Sequence, residues 1–200
     1  MVLLLTLVVT MALTAMGMGL LLATDFDRLA AANVREQLDT HASAGAALEF
    51  GTARLAAVPD WAAVPGGAAL PLFNGSTTMP APAGGQVVDF AAHTADAQQA
   101  VYGPAAAWGA DTPQFRLAGY GVPADDLPAD ASLSNRTYVL LWVSDDVADS
   151  DGDPSVDSNG VLVLRAQAFG PRRTQSIVQS VLGRTATPGV VRRITWSRSP

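Results

Sequence analysis

The hydrophobic pattern of the chain begins with a long uncharged run. From Met1 to Ala23 there is no charged residue and no proline. At about 1.5 Å per residue, a helix of this length crosses a bilayer core of roughly 30 Å. A secretory signal peptide is the alternative interpretation, but its apolar core is shorter and follows a basic start, which this run lacks. The pattern therefore predicts that residues 1–24 form a retained membrane-spanning helix.

The next segment, residues 25–58, has the pattern of an amphipathic helix. No proline occurs before Pro59, so nothing in the sequence forces the first helix to stop at the membrane edge. At about 100° per residue one side of the segment is mainly apolar and the other mainly charged. We expect the apolar side to face a core; it contains Phe26, Leu29, Ala30, Val34, His41, Ala44, Leu48 and Leu55, and the polar side contains Arg28, Arg35, Glu36, Asp39, Glu49 and Arg54.

The composition of residues 59–113 predicts a loop-rich connecting region. Proline, glycine and alanine are frequent in the first half of this region, which disfavours regular secondary structure. Two short elements are predicted within it: a strand from Gln86 to Phe90 and a helix from Ala95 to Tyr102.

Residues 114–200 carry a β pattern that belongs to the same globular head. Apolar and polar residues alternate in most of the segments, whereas the segment at Tyr138 is apolar on both faces, as in a central strand. Short connections between the segments favour an antiparallel meander. The predicted fold class is α+β, with the amphipathic half of the helix covering a four- or five-stranded antiparallel sheet. The predicted strands are 114–121, 138–143, 161–169, 174–182 and about 190–196.

Composition limits the number of domains and the classes of partner. The chain has 200 residues, so about 175 remain outside the membrane, enough for one domain with its own core. The net charge is −6, which argues against nucleic acid or anionic lipid as main partners, because both favour basic surfaces.

The absence of certain residue types excludes several chemistries. The chain contains neither cysteine nor lysine, which excludes disulfides, thiolate metal sites and Schiff-base catalysis. Only two histidines are present, His41 on the apolar helical side and His93 in a predicted loop. No nucleophile, base and orienting group occur in a known catalytic pattern, so we expect a protein that is not an enzyme.

One loop has a spacing that suggests a metal site. Within Ser144–Gly160, four aspartates occupy positions 1, 3, 5 and 9 of a calcium-loop-like pattern: Asp149, Asp151, Asp153 and Asp157. Alternate carboxylates of this kind can converge on a hard cation. The alternative is an ordinary turn, since Asp, Gly, Pro, Ser and Asn are also the residues of which turns are made. Calcium is therefore a candidate cofactor, and we predict no other.

Taken together, the long helix and the β-rich region that follows resemble the type IV pilin class. The more specific similarity is to the PilX-like minor pilins. Residues 31–35, Ala-Ala-Asn-Val-Arg, match their small-small-Asn-x-Arg segment, and residues 43–48 match their small-residue stretch, with Gly45 in place of the usual glutamate. Residues 192–197 resemble their last strand. The similarity covers the N-terminal third well and the C-terminal third loosely.

This resemblance implies a function and a set of partners. It implies a structural subunit, a minor pilin or pseudopilin, of a bacterial type IV pilus or a related filament. The subunit would be held in the inner membrane by its helix, with the head outside the cytoplasm, and would then join an extracellular filament. Its partners would be other pilin subunits, contacted through the helix, together with a pilus assembly platform and a prepilin peptidase.

Two positions depart from the pilin pattern. Pilins usually carry a glutamate at the fifth mature position, where Leu5 lies if Met1 is the first mature residue. In this respect the chain is similar to the tip-initiating pseudopilins. Pilin leaders are also basic, and no basic residue precedes Arg28. The alternative function is a single-pass anchored domain outside the cytoplasm that binds a ligand or partner and never polymerises.

Overall fold

The computed structural model of the chain describes residues 1–103, 109–127, 133–187 and 189–199. It divides into two compact units, Met1–Glu36 and Gln37–Pro200. Parts of the two predicted segments 59–113 and 114–200, namely residues 104–108, 128–132, 188 and 200, lie outside the described residues.

Helix α1 runs from Val2 to Ala56 and agrees with the predicted helix to within two residues at each end. In the second unit, the side of α1 formed by Ala44, Leu48 and Leu55 is fully buried, as the pattern predicts. The same pattern fails nearer the N-terminus. Phe26 and Val34 are more than half exposed, and Glu36, predicted on the polar side, is only 8% exposed.

The second unit contains a six-stranded mixed sheet with the strand order β1-β2-β3-β4-β5-β6. Strands β2 to β6 form an antiparallel meander, as predicted, whereas β1 pairs with β2 in parallel. The predicted number of four or five strands is therefore too small by the short strand β1. The strands are β1 Phe73–Asn74, β2 Arg116–Gly121, β3 Tyr138–Asp145, β4 Val161–Phe169, β5 Gln175–Arg184 and β6 Val191–Ser199.

Two apolar clusters lie on the two faces of this sheet. Along β3, Val139, Leu141 and Val143 contribute to the same cluster as the buried residues of α1. The alternate residues Leu140 and Trp142 contribute to the second cluster. Every residue of β3 is buried, which confirms the prediction of a central strand.

The second face is covered in part by helix α2, Phe90–Tyr102. This helix confirms the predicted one at 95–102 but begins five residues earlier, because the Asp89 carboxylate accepts a hydrogen bond from the Ala92 N–H at 3.0 Å and caps the helix. The predicted strand Gln86–Phe90 is wrong. Only Val87 pairs there, through an isolated bridge to Thr78. A short helix α3, Pro123–Asp126, follows β2.

Candidate functional site

In the first unit, residues 1–22 form an apolar segment of α1 in which every residue is exposed. None of the most apolar 18-residue window of α1 is buried, and among the described residues α1 is the one helix long and apolar enough to cross a membrane. Fifteen large apolar side chains between Met1 and Leu22 are each about half or more exposed. Burying one such side chain stabilises by about 1.5–3 kcal/mol, so exposing the whole set to water costs on the order of tens of kcal/mol. The segment requires an apolar environment.

The polar side chains inside this segment are already satisfied. The hydroxyls of Thr6, Thr10 and Thr14 each donate to a backbone carbonyl three or four residues earlier, at 2.8–3.0 Å. Because a polar group without a partner is costly in an apolar environment, this back-bonding makes the segment compatible with lipid or with packed helices.

The aspartate loop brings together three carboxylates, of which sequence reasoning identified two. Oxygen atoms of Asp145, Asp149 and Asp157 lie within 4.8 Å of one another. All three residues are buried, with 1%, 7% and 5% of their surface exposed. Asp151 and Asp153, the other two residues of the predicted set, are exposed and lie outside this group.

Backbone geometry explains why Asp145 joins the cluster and Asp153 does not. Asp145 is the last residue of β3, and its side chain follows Val139, Leu141 and Val143 on the α1 side of the sheet. If the alternation of the predicted strand 138–143 is continued by two residues, it places Asp145 on this side of the sheet. Asp153 instead accepts hydrogen bonds from the backbone and hydroxyl of Ser155, as is typical of a turn.

The three carboxylates differ in their electrostatic environment. Burial, together with the charges of Asp149 and Asp157, raises the pKa of Asp145 to about 7. Burial also raises the pKa of Asp157. For Asp149, burial acts in the same direction, but hydrogen bonds from Ser158 and Asn159 outweigh it and lower the pKa. The cluster can therefore hold a proton near neutral pH or supply three ligands to a hard cation, which takes six to eight oxygens when it is calcium.

Neither histidine is part of a catalytic set among the described residues. His41 is half-buried, and its Nδ1 lies 3.1 Å from the Ser176 hydroxyl. Its ring meets the Trp196 ring edge-on at 6.3 Å. Burial and the nearby Arg198 lower its pKa. His93, predicted in a loop, lies instead in α2 and packs on Phe169 with 5.0 Å between ring centroids.

A groove of about 560 Å³ lies between α2 and β2 and was not indicated by the sequence. Its walls include Phe90, Phe115 and Leu117. Gln98, one of its polar side chains, is already engaged, since it donates to the Pro113 carbonyl and accepts from the Phe115 N–H.

Comparison with known proteins gives no relative for this arrangement. No protein-family model, no curated protein and no solved structure matches the chain.

Proposed function

We propose that this chain is a structural subunit, of the minor pilin or pseudopilin kind, of a bacterial type IV pilus or related filament. The observation that supports this most directly is the first unit, a helix whose apolar side chains are exposed over its whole membrane-length segment. Such a helix is stable either in lipid or among other apolar helices, and not in water. Before assembly the chain would reside in the inner membrane with its head outside the cytoplasm.

Assembly would exchange one apolar environment for another. In the membrane the segment contacts acyl chains, and in a filament it would contact the corresponding helices of other subunits. The free energy of burial is then similar in the two states. The work of extraction would come from a separate motor, since the sequence contains no P-loop lysine.

The second candidate is a single-pass anchored domain that binds a partner and never polymerises. It is supported by the second unit, which has its own six-stranded sheet and two apolar clusters. Both candidates need the membrane segment. They differ in whether the helix ever leaves the lipid.

Fractionation after shearing separates the two candidates. Cells expressing a C-terminally tagged chain are sheared, and the extracellular polymer is collected apart from the membranes. A filament subunit is recovered in both fractions, and its extracellular share disappears in a strain without the assembly motor. Leu13→Arg, which places a charge in the middle of the apolar segment at a cost of about 2.5–3.5 kcal/mol, should weaken anchoring and lower extracellular recovery.

The matched control is Ala42→Arg, an exposed position of α1 in the second unit, which should keep membrane anchoring. Recovery of the wild-type chain exclusively with membranes, under conditions where other filament subunits shear off, would support the anchored domain and overturn the filament proposal.

A further inference from the structure

Two of the four asparagines of the chain stand in the triplet Asn-x-Ser/Thr, in which x is not proline. The triplets are Asn74-Gly75-Ser76 and Asn135-Arg136-Thr137. This triplet is the acceptor for attachment of a glycan to the asparagine side chain, and it also occurs by chance in unmodified loops. The structure distinguishes the two triplets, because an enzyme that acts on the folded chain must reach the amide and the hydroxyl together.

The first triplet continues the edge strand of the sheet. Asn74 is the last residue of β1, and the Gly75 N–H donates to the Tyr120 carbonyl at 2.8 Å. Side chains alternate between the two sides of such an extended segment. Phe73 is buried and Gly75 is half-buried, whereas Asn74 and Ser76 are exposed. The amide of Asn74 and the hydroxyl of Ser76 therefore face solvent on the same side of the chain.

The second triplet exposes its asparagine but not its hydroxyl. Asn135 is exposed in the turn before β3, whereas Thr137 is fully buried. The Thr137 hydroxyl donates to the Ser134 carbonyl at 3.1 Å and lies 2.7 Å from the hydroxyl of Ser43 on α1. An enzyme could reach this hydroxyl only by separating α1 from the sheet. The folded chain therefore withholds the second triplet.

The fold accounts for the glycine of the first triplet but not for its asparagine. A Cβ at Gly75 would overlap the Asp126 carboxylate, which accepts a hydrogen bond from the Val122 N–H at 2.7 Å. The Asn74 side chain, in contrast, makes no hydrogen bond with the other described residues and belongs to neither apolar cluster. Asparagine is also uncommon in strands, where β-branched and aromatic residues are favoured. Packing therefore gives no reason for asparagine at this position.

The segment that follows Asn74 is open to solvent. Ser76, Thr77 and Thr78 are all exposed. The Ser76 hydroxyl donates to the Thr78 carbonyl at 3.1 Å and accepts from the Thr78 N–H at 3.0 Å, which is a local turn. Because this turn involves no other element, it can open without disturbing the sheet. Both side chains of the triplet are thus accessible in the folded chain.

We propose that Asn74 is a site of N-linked glycosylation in the folded chain and that Asn135 is not. The donor is an oligosaccharide carried on a polyisoprenyl phosphate or diphosphate. The amide nitrogen of Asn74 forms a bond to the anomeric carbon, and the bond from that carbon to the phosphate oxygen breaks. The amide gives up one proton, the lipid phosphate leaves with the electron pair, and nothing is oxidised or reduced. This site goes beyond the proposed function and requires only that the second unit lie outside the cytoplasm, as in both candidates.

Mass spectrometry of the full chain, isolated from its own cells, tests the proposal. The chain is denatured and cleaved before each aspartate, which gives one peptide for each triplet, residues 60–88 and residues 130–144. We expect the mass of peptide 60–88 to be raised by a series of sugar masses, with fragment ions that assign them to Asn74. Peptide 130–144 should have its unmodified mass.

Single substitutions separate N-linked attachment from other modifications of the same peptide. Asn74→Gln and Ser76→Ala should each remove the added mass completely, because each destroys the triplet. Ser76→Thr is the matched control, since it keeps a hydroxyl in the triplet and should retain the mass. Thr77→Ala, at an exposed position outside the triplet, should also retain it. Melting curves of the variants confirm that each chain is folded.

Three results would overturn the proposal. An unmodified peptide 60–88 from the wild-type chain would show that Asn74 is not a site. Added mass that survives Ser76→Ala would assign the modification to a different residue or chemistry. Equal modification of both peptides would show that attachment precedes folding and that burial of Thr137 does not protect Asn135.

The outcome is independent of the shearing experiment. A glycan on Asn74 in a chain recovered exclusively with membranes would retain the site and reject the filament function. An unmodified chain in the sheared fraction would do the reverse.

Discussion

Asp145 is a buried carboxylate whose ionisation opposes folding. Its pKa is raised to about 7 by burial and by the neighbouring Asp149, Asp157 and Asp146. The folded state therefore binds a proton that the unfolded state releases near pH 4. We expect the contribution of Asp145 to the free energy of unfolding to fall as pH rises from about 4 to about 7, by at most about 1.4 kcal/mol per pH unit.

The variant Asp145→Asn isolates this effect. Its amide oxygen can still accept the Asp146 N–H hydrogen bond, which is 2.9 Å long in the wild type. Both chains are unfolded chemically in the same detergent. The free energy of unfolding of Asp145→Asn, relative to that of the wild type, should rise between pH 4 and pH 7 and stay constant above pH 8. Because both chains contain His41, its contribution cancels in this difference. On its own, the lowered pKa of His41 would make the free energy of unfolding rise with pH near pH 6, opposite to the effect of Asp145. A difference that does not change with pH would contradict the assignment.

The calcium hypothesis makes a separate prediction for the same cluster. If calcium binds Asp145, Asp149 and Asp157, millimolar calcium raises Tm by mass action, and Asp145→Asn removes that rise. Asp151→Asn, at an exposed position of the loop, serves as the control and leaves the rise intact. Wild-type melting curves that are identical with calcium and with chelator would end the hypothesis.

The β4–β5 turn offers a third residue-scale prediction. Because Arg172 and Arg173 lie at positive φ, Arg173→Gly should raise the free energy of unfolding by about 1 kcal/mol. The control Arg198→Gly lies in the extended strand β6, where glycine destabilises by roughly 0.5–1 kcal/mol. The urea midpoint should rise for Arg173→Gly and fall for Arg198→Gly. A loss of stability in Arg173→Gly would show that the turn is not strained.

At this scale the sequence predicted the aspartate cluster only in part. Spacing along the chain indicated Asp149 and Asp157, whose side chains do converge. It could not exclude Asp151 and Asp153, because their orientation depends on local turns that spacing does not encode. It also missed Asp145, because the predicted strand 138–143 ends two residues before it.

Among the elements, helix α1 packs closely against β3 at a glycine. A Cβ added at Gly51 would lie 2.6 Å from Leu141 Cδ2, whereas one added at Gly45 would meet nothing within 4 Å. Leucine at either position gains about 1 kcal/mol in helix propensity. Overpacking at Gly51 costs a further 1–3 kcal/mol or so. We therefore expect Gly51→Leu to be less stable than Gly45→Leu by about that amount.

Urea unfolding of the two leucine variants measures this difference. The substitution is the same in both chains and lies in the same helix, so helix propensity cancels. Equal stabilities would mean that α1 does not pack against β3 at Gly51 as the structure has it.

The elements themselves were largely predictable from the sequence, for physical reasons. Long periodic segments such as β4 and β5 are specified by their own alternation of apolar and polar residues. Strand β1 has two residues and is held by pairing to Gly119 and Tyr120, a distant contact with no local pattern. The strand prediction at Gln86–Phe90 failed because the Asp89 cap starts a helix within the same apolar run.

For the whole molecule, the decisive feature is the first unit. Its apolar segment is long enough to cross a bilayer, and the side chains of that segment are exposed. Among the described residues, neither apolar cluster of the second unit includes a residue before Ala44. The central claim is that the segment is always covered by lipid or by other helices.

Thiol labelling in isolated membranes tests this claim most directly, because the chain has no native cysteine. Single variants Leu13→Cys and Ala42→Cys are treated with a membrane-impermeant maleimide on sealed and on detergent-dissolved membranes. We expect rapid labelling of Ala42→Cys in both preparations, and labelling of Leu13→Cys only after the membrane is dissolved and the chain denatured. Labelling of Leu13→Cys in sealed membranes at the rate of Ala42→Cys would contradict the claim.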